Sequence, residues 1–248
     1  MNATLPLPGA LADIWVYLAA TPLLGLALTL LVYHGAFLLY ERSGFNPLAN
    51  PVAISIAVLA TLLWATGTPY ATYFEGAQFV HFLLGPATVA LSIPLFEQIS
   101  RLKRLWLPIV GALVVGTLAA TTTAIGVGWA LGASRATLAS LAPKSVTSPV
   151  AMGIAEKIGG IPSLTAVLVA ATGIIGAASA RFLFDALRIK DPVVRGFALG
   201  TAAHGIGTAR AFQVSEEMGA FAGLAMGLSA LFSAVALPLV AGMLLRWV

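Results

Sequence analysis

The chain contains no cysteine, which excludes disulfides and thiolate metal sites from the outset. Charge is almost as scarce. Asp, Glu, Lys and Arg make up 9% of the 248 residues, against about 25% in soluble domains. A chain so poor in charge cannot cover a water-facing surface. No polar run is long enough to form a separate soluble domain. No Lys or Arg precedes the first apolar run, which speaks against a cleaved signal peptide with its basic n-region. H-E-x-x-H, G-x-S-x-G and a pair of intramembrane aspartates are all missing, so no enzyme constellation is legible, and neither a cofactor nor a metal is expected.

What is present is apolar: 59% hydrophobic residues and a mean hydropathy of +0.97. The expected class is an all-α polytopic membrane protein, with residues 1–248 as a single integral membrane domain. The net charge of +4 is small and spread along the chain. It reads as an orientation signal in a lipid bilayer and not as a nucleic-acid surface.

Apolar runs place about six spanning helices: 11–40 with Pro22 near its start, 48–67, 76–99, 105–131, 161–187 and 219–247. Two further segments, near 134–160 and 195–213, are apolar but interrupted by polar, Gly or Pro residues. Basic residues concentrate at 101–104 and 188–195, with Arg42 marking a third loop, while the N-terminal tail and the stretch 68–76 have none. Basic loops favour the cytoplasm, so the N-terminus is expected outside. That assignment leaves both interrupted segments re-entrant, entering from opposite faces, with Arg246 on the less favoured outer side; the alternative is that one or both cross as broken helices, with a less consistent charge bias. Interrupted segments at membrane depth must be surrounded by protein or a watery cavity, the arrangement of many secondary transporters. The blocks 85–99 and 147–158 share Pro, Val-Ala, Ile and Glu in order, a hint of inverted repeats.

The segment "LAPKSVTSPVAMGIAEKIGG" (141–160) carries the most chemistry. Pro143 should stop one half-helix, and Ser148 followed by Pro149 should cap and start the next. Unpaired N–H groups at that start, together with Lys144, Ser145 and Thr147, would make an anion site. The competing account is a lysine snorkelling to the interface among structural caps. In "GFALGTAAHGIGTARAFQ" (196–213), Gly205 and Gly207 allow a tight break, Thr208 is positioned to cap, and His204 and Arg210 flank the break. Against a ligand role, His204 would be a hydrogen-bonded structural residue and Arg210 would pair with Glu216 or Glu217. Gly85, Pro86 and Pro94 should break or kink the third span, where Thr88 and Ser92 either line a path or merely accompany the kink. Glu97 and Glu156 are expected to pair with Arg101 or Lys157, the alternative being that either carries a coupling proton, and Arg181 is expected to pair with Asp185 at i, i+4. His34 and His81 read as packing or interface residues. "GIIGAASA" (173–180) offers a small-residue face for close helix packing.

The blocks "PKSVTSP" and "HGIGTAR", with "LLGPATVALSIPLFEQ" (83–98), resemble the signature regions of the LrgB/CidB family in the order found there. The resemblance covers nearly the whole chain. It implies a multi-pass protein of the bacterial cytoplasmic (inner) membrane, described as antiholin-like or holin-like, acting with a small LrgA/CidA-type membrane protein on murein hydrolase activity and lysis. It also implies a carrier, since a plastid relative is a glycolate/glycerate translocator and some bacterial members are linked to pyruvate. The expected ligand is therefore a small carboxylate anion of the glycolate, glycerate, pyruvate or lactate type, moved by alternating access. Substrate contacts are expected from Lys144, Ser145, Thr147, Ser148, His204, Thr208, Arg210 and Thr88. The chain lacks the plastid relative's extra N-terminal membrane domain, so a separate small partner or a homo-oligomer is implied.

Overall fold

The computed structural model describes residues 22–83, 86, 89–90 and 92–245. These are helical, with no strand among them. The chain divides into two compact units, Met1–Ala90 and Leu91–Val248.

The first unit contains α1 (Pro22–Arg42), a 3-10 turn (Pro47–Ala49), α2 (Pro51–Thr66) and α3 (Tyr70–Phe82). Pro22 opens α1 and does not kink it. The turn after α1 uses Gly44 and Phe45, both at positive φ. Asn50 then caps α2 by accepting from the N–H groups of Val52 and Ala53 at 2.9 and 3.2 Å, with Pro51 at the first position. Gly67, at φ 65°, terminates α2 in the left-handed region. Gly25 admits α3: a Cβ there would lie 2.3 Å from the Tyr73 carbonyl oxygen. The hydroxyls of Thr29 and Tyr73 then meet at 2.7 Å. Residues 70–76, expected as part of a loop, are helical. Pro69 precedes this helix, and Tyr70, Tyr73 and Phe74 pack on one another at helical spacing, which an apolar-run reading does not weigh.

The second unit contains α4 (Ser92–Glu97), α5 (Ile99–Ala130), α6 (Arg135–Leu141), α7 (Ser148–Lys157), α8 (Pro162–Ala186), α9 (Pro192–Val214) and α10 (Glu216–Leu244). The expected span 76–99 is thus not one helix. Its central residues Gly85 and Thr88, the N-terminal tail and Arg246 lie outside the described residues; Pro86 is helical and exposed. Four helices are long and apolar enough to cross a bilayer: Leu23–Arg42, Ile99–Ala130, Pro162–Ala186 and Glu216–Leu244. Among the described residues α2, with 16 residues, and α3, with 13, are shorter than those four.

Packing fixes the directions of the long helices of the second unit. Arg101 binds Glu217 where α5 and α10 begin, Ile109 and Leu113 share a core with Phe221 and Ala225, and Ile125 packs with Ala241 and Leu245. Hence α5 and α10 run parallel. The start of α8 bonds to Ser140, next to the Ile125 and Ala241 cluster, and its end packs on Met218. Hence α8 runs the opposite way. The unit has a basic end, holding Arg101, Asp191 and Glu217, and an opposite end, holding Gly132, Gly160 and Leu245.

Candidate functional site: two helical hairpins

Residues 134–160 form a hairpin opening at the end opposite the basic one. Ser134 caps α6 by accepting from the Thr137 N–H at 3.3 Å. The helix stops at Leu141 because Pro143 offers no donor to continue it. The tip is deep: the Thr121 hydroxyl of α5 donates to the Ala142 carbonyl at 3.2 Å, and Val146 packs with Val169 and Leu237. The chain then returns through α7. Gly160 comes back against α6 so closely that a Cβ there would lie 2.9 Å from the Ser140 nitrogen. The Ser140 hydroxyl accepts from the Ile161 N–H at 2.8 Å, tying the end of α6 to the start of α8. With seven and ten residues, α6 and α7 reach roughly 10 and 15 Å, too little for either to cross a bilayer.

At this tip the cap lies one residue earlier than the sequence suggests. Thr147, extended at φ −59° and ψ 142°, is the N-cap residue, Ser148 the first helical residue and Pro149 the second. Proline tolerates either of the first positions, so sequence alone does not fix the frame. The Thr147 side chain makes no capping bond. Lys144 is half-buried and its Nζ lies 3.5 Å from the Ser145 hydroxyl. Among the described residues no acidic side chain pairs with Lys144. The tip thus presents an ammonium group, three hydroxyls and the dipole-positive start of α7 together.

The second hairpin is α9. Helical geometry fails at Ala203 (φ −126°, ψ 15°) and His204 (φ 41°, ψ −132°), and the chain doubles back. A Cβ on Gly207 would lie 2.7 Å from the Leu199 carbonyl oxygen, whereas those residues would stand about 12 Å apart along a continuous helix. The first limb runs parallel to α10. Its Gly196 and Gly200 lie against Met218 and Ala222, where a Cβ would approach the carbonyl oxygens to 2.2 and 2.1 Å. The second limb returns, bringing Thr208 to Met226 and Phe212 to Gly219. This hairpin opens at the basic end. Arg101 binds both Glu217 and, at 3.8 Å, Asp191, tying the mouth of the hairpin to α5.

The break therefore sits at Ala203-His204 and not at Gly205-Ile206-Gly207. His204 takes the left-handed φ that a glycine would adopt freely, at a cost of about 1–3 kcal/mol, while Gly207 serves the close approach of the limbs. Thr208 does not cap; its hydroxyl donates back to the His204 carbonyl at 2.8 Å and is buried. The His204 ring is buried, with Nε2 3.0 Å from the Val169 carbonyl, so that Nε2–H donates.

The two tips meet at α8. The Val169 side chain packs on Val146 of the first tip, and its carbonyl accepts from His204 of the second. Gly173 and Gly176 form the seat of the second tip: a Cβ on either would lie 2.7 Å from His204 Cε1 or from the Ala203 Cβ. The small-residue face of 173–180 thus receives a hairpin tip.

Arg210 stands apart from this cluster. It lies six residues beyond His204, about 9 Å along the returning limb, and lines a cavity with Arg181, Asp185 and Arg195. Its Nη1 donates to Gln213 Oε1 at 3.2 Å. Arg181 pairs with Asp185 as expected, at 3.9 Å, but Arg195 holds the same carboxylate at 2.6 Å. Arg101 pairs across the fold with Asp191 and Glu217 and not with its neighbour Glu97, because the long-range partners share the hairpin mouth. His34 is exposed; the His81, Ser92 and Pro94 side chains lie outside the described set.

Sequence reading did not single out Gly196 and Gly200, although "GFALG" has the G-x-x-x-G spacing of close helix contact. The Val169 carbonyl, a backbone group, had no signal to find.

The sequence profile of the LrgB-like family matches residues 29–243. The chain is 37% identical over 217 residues to the "Uncharacterized protein YwbG" of Bacillus subtilis (strain 168), covering 87% of this chain and 96% of that protein. It is 31% identical over 219 residues to the "Antiholin-like protein LrgB" of Bacillus mycoides (strain KBAB4) and to that of Bacillus cereus (strain B4264), covering 88% of this chain and 95% of each relative. No solved structure matches. With its apolar spanning helices and this match over most of its length, the chain is a membrane protein and belongs to the LrgB-like family.

Proposed function

We propose that the protein is a secondary carrier for small monocarboxylates of the glycolate, glycerate, pyruvate or lactate type, working by alternating access. The observation that carries the reading is the convergence of the two hairpin tips on Val169 of α8. One tip carries a half-buried ammonium, Lys144, with no acidic partner among the described residues, the other carries the buried imidazole of His204, and each tip is delivered by a hairpin from an opposite end of the same unit. A carboxylate would bind Lys144 and the start of α7 through charge-assisted hydrogen bonds. Ser145, Thr147 and Ser148 would meet the hydroxyl or keto group of the substrate.

The arrangement of the second unit favours a transporter. The hairpin 134–160 followed by α8 and the hairpin 192–214 followed by α10 have the same order of parts and run in opposite directions. That is the pattern of inverted repeats around a midplane site, in which one set of elements moves against the other. Hairpin 134–160 is re-entrant from the outer face in this reading and hairpin 192–214 from the cytoplasmic face. The basic end lies in the cytoplasm, the N-terminus outside, and the membrane is the bacterial inner membrane. No chemical step is catalysed.

Flux into liposomes tests this. Purified protein should move labelled glycolate or pyruvate above the rate of empty liposomes, and Lys144→Met should abolish the movement. Wild-type protein that moves neither acid, with or without a proton gradient, would sink the carrier reading.

The printed names of the relatives favour a second reading, an antiholin-like regulator of murein hydrolase activity and lysis, acting with a small LrgA/CidA-type membrane protein or as a homo-oligomer. A flux-inactive protein whose expression still alters lysis, and which co-purifies with such a partner, would select it.

A further inference from the structure

A second cluster of cationic side chains lies away from the tips. At the mouth of hairpin 192–214, a cavity of about 240 Å³ is lined by Arg181 and Asp185 of α8, Arg195 on the first limb of α9 and Arg210 on the second, with apolar walls that include Phe184 and Leu199. Three guanidinium groups and one carboxylate line a recess with apolar sides, where fields are strengthened. The arginines are held differently. Arg195 is fixed: it donates to the Ile189 carbonyl at 2.6 Å, grips Asp185 at 2.6 Å and lies over the Phe184 ring at 5.5 Å. Arg181 is loosely held, 65% exposed and 3.9 Å from Asp185, an exposed pair of the kind that contributes little. Arg181 can therefore turn to an incoming anion without breaking a strong bond.

We propose that this cavity is a second anion subsite that takes the carboxylate on the basic face before it reaches Lys144, or after it leaves. The proposal rests on the carrier reading. Arg210 and Arg181 come from different elements, the returning limb and α8, so a carboxylate between them bridges the hairpin to the helix that seats its tip. Guanidinium forks suit such bidentate capture better than ammonium groups do. The chemistry is shared by a free carboxylate and a lipid phosphate, and the free carboxylate is favoured because the recess lies along the hairpin whose tip holds His204.

The test is a two-sided kinetic comparison in liposomes of known protein orientation, with labelled pyruvate or glycolate offered from one face at a time. In phosphatidylcholine alone, Arg210→Gln and the more exposed Arg181→Gln should each raise KM roughly tenfold from the basic face, the loss expected for one charge-assisted hydrogen bond. KM from the other face should not move. Wild-type flux with unchanged KM values in both variants overturns the subsite and leaves the carrier intact. No wild-type flux overturns the carrier itself. A KM effect that arises only when phosphatidylglycerol is included assigns the cavity to a lipid head group and overturns the proposal.

Discussion

Gly173 of α8 is the floor on which the His204 ring rests: a Cβ at 173 would stand 2.7 Å from His204 Cε1 and 3.0 Å from Nε2. The ring reaches the Val169 carbonyl only because position 173 has no side chain. Gly173→Ala should displace the imidazole and lower stability by about 1–3 kcal/mol, the usual cost of overpacking. Thermal unfolding of the purified protein measures the second effect and liposome flux the first. An alanine variant with wild-type stability and flux would show that His204 does not need this seat.

The first limb of the second hairpin depends on the same device. Gly200 lies against the Ala222 carbonyl, where a Cβ would come within 2.1 Å of the oxygen. Backbone cannot yield as a flexible side chain does, so Gly200→Val should cost about 3 kcal/mol or more. Gly153, with nothing near its missing Cβ, provides the control. Gly153→Ala should be neutral or mildly stabilising, because alanine favours the helix by about 1 kcal/mol over glycine. Melting temperatures of the two variants should fall on opposite sides of the parent or nearly so.

Two buried hydroxyls, Thr117 of α5 and Ser233 of α10, have no hydrogen-bond partner among the described residues. An unsatisfied buried polar group costs about 1–3 kcal/mol. Thr117→Val keeps the shape and removes the orphan, so it should leave the melting temperature unchanged or raise it, as should Ser233→Ala. A fall of several degrees in both would mean that the hydroxyls are bonded in the membrane.

The absence of native cysteine makes topology directly readable. Arg135→Cys and Ser163→Cys, both exposed positions flanking the first hairpin, should react with an impermeant maleimide from one face. Lys190→Cys and Glu216→Cys, exposed and flanking the second, should react from the other. Labelling of 135 and 163 from opposite faces would mean that 134–160 crosses the bilayer.

Much of this architecture follows from composition and punctuation. Scarce charge and high hydropathy dictate a membrane protein, because so apolar a surface has no stable place in water. Pro143 and the Ser148-Pro149 pair marked a stop and a start, and the structure has helices ending at Leu141 and beginning at Ser148. The interruptions near 134–160 and 195–213 were legible because lysine and histidine are costly at membrane depth and because proline and clustered glycine break helices. The cap residue and the break residue were not legible to within one position. Local rules allow proline at either of the first two helical positions, and they favour Gly205 over His204 for the left-handed turn. His204 takes that strained geometry because its ring is held by Val169 and by the space at Gly173, partners 35 and 31 positions away in sequence.

The sequence by itself determined the solvent, the helical class, the family and the presence of two interrupted segments, since each depends on residue type and near neighbours. Only the tertiary structure decided that the segment at 192–214 folds back on itself, that the two tips converge on Val169, and that Arg210 belongs to the mouth of the hairpin and not to its tip. Those outcomes are set by contacts between residues far apart in the chain. They depend on where glycines let one backbone reach another, and a one-dimensional pattern does not carry that geometry.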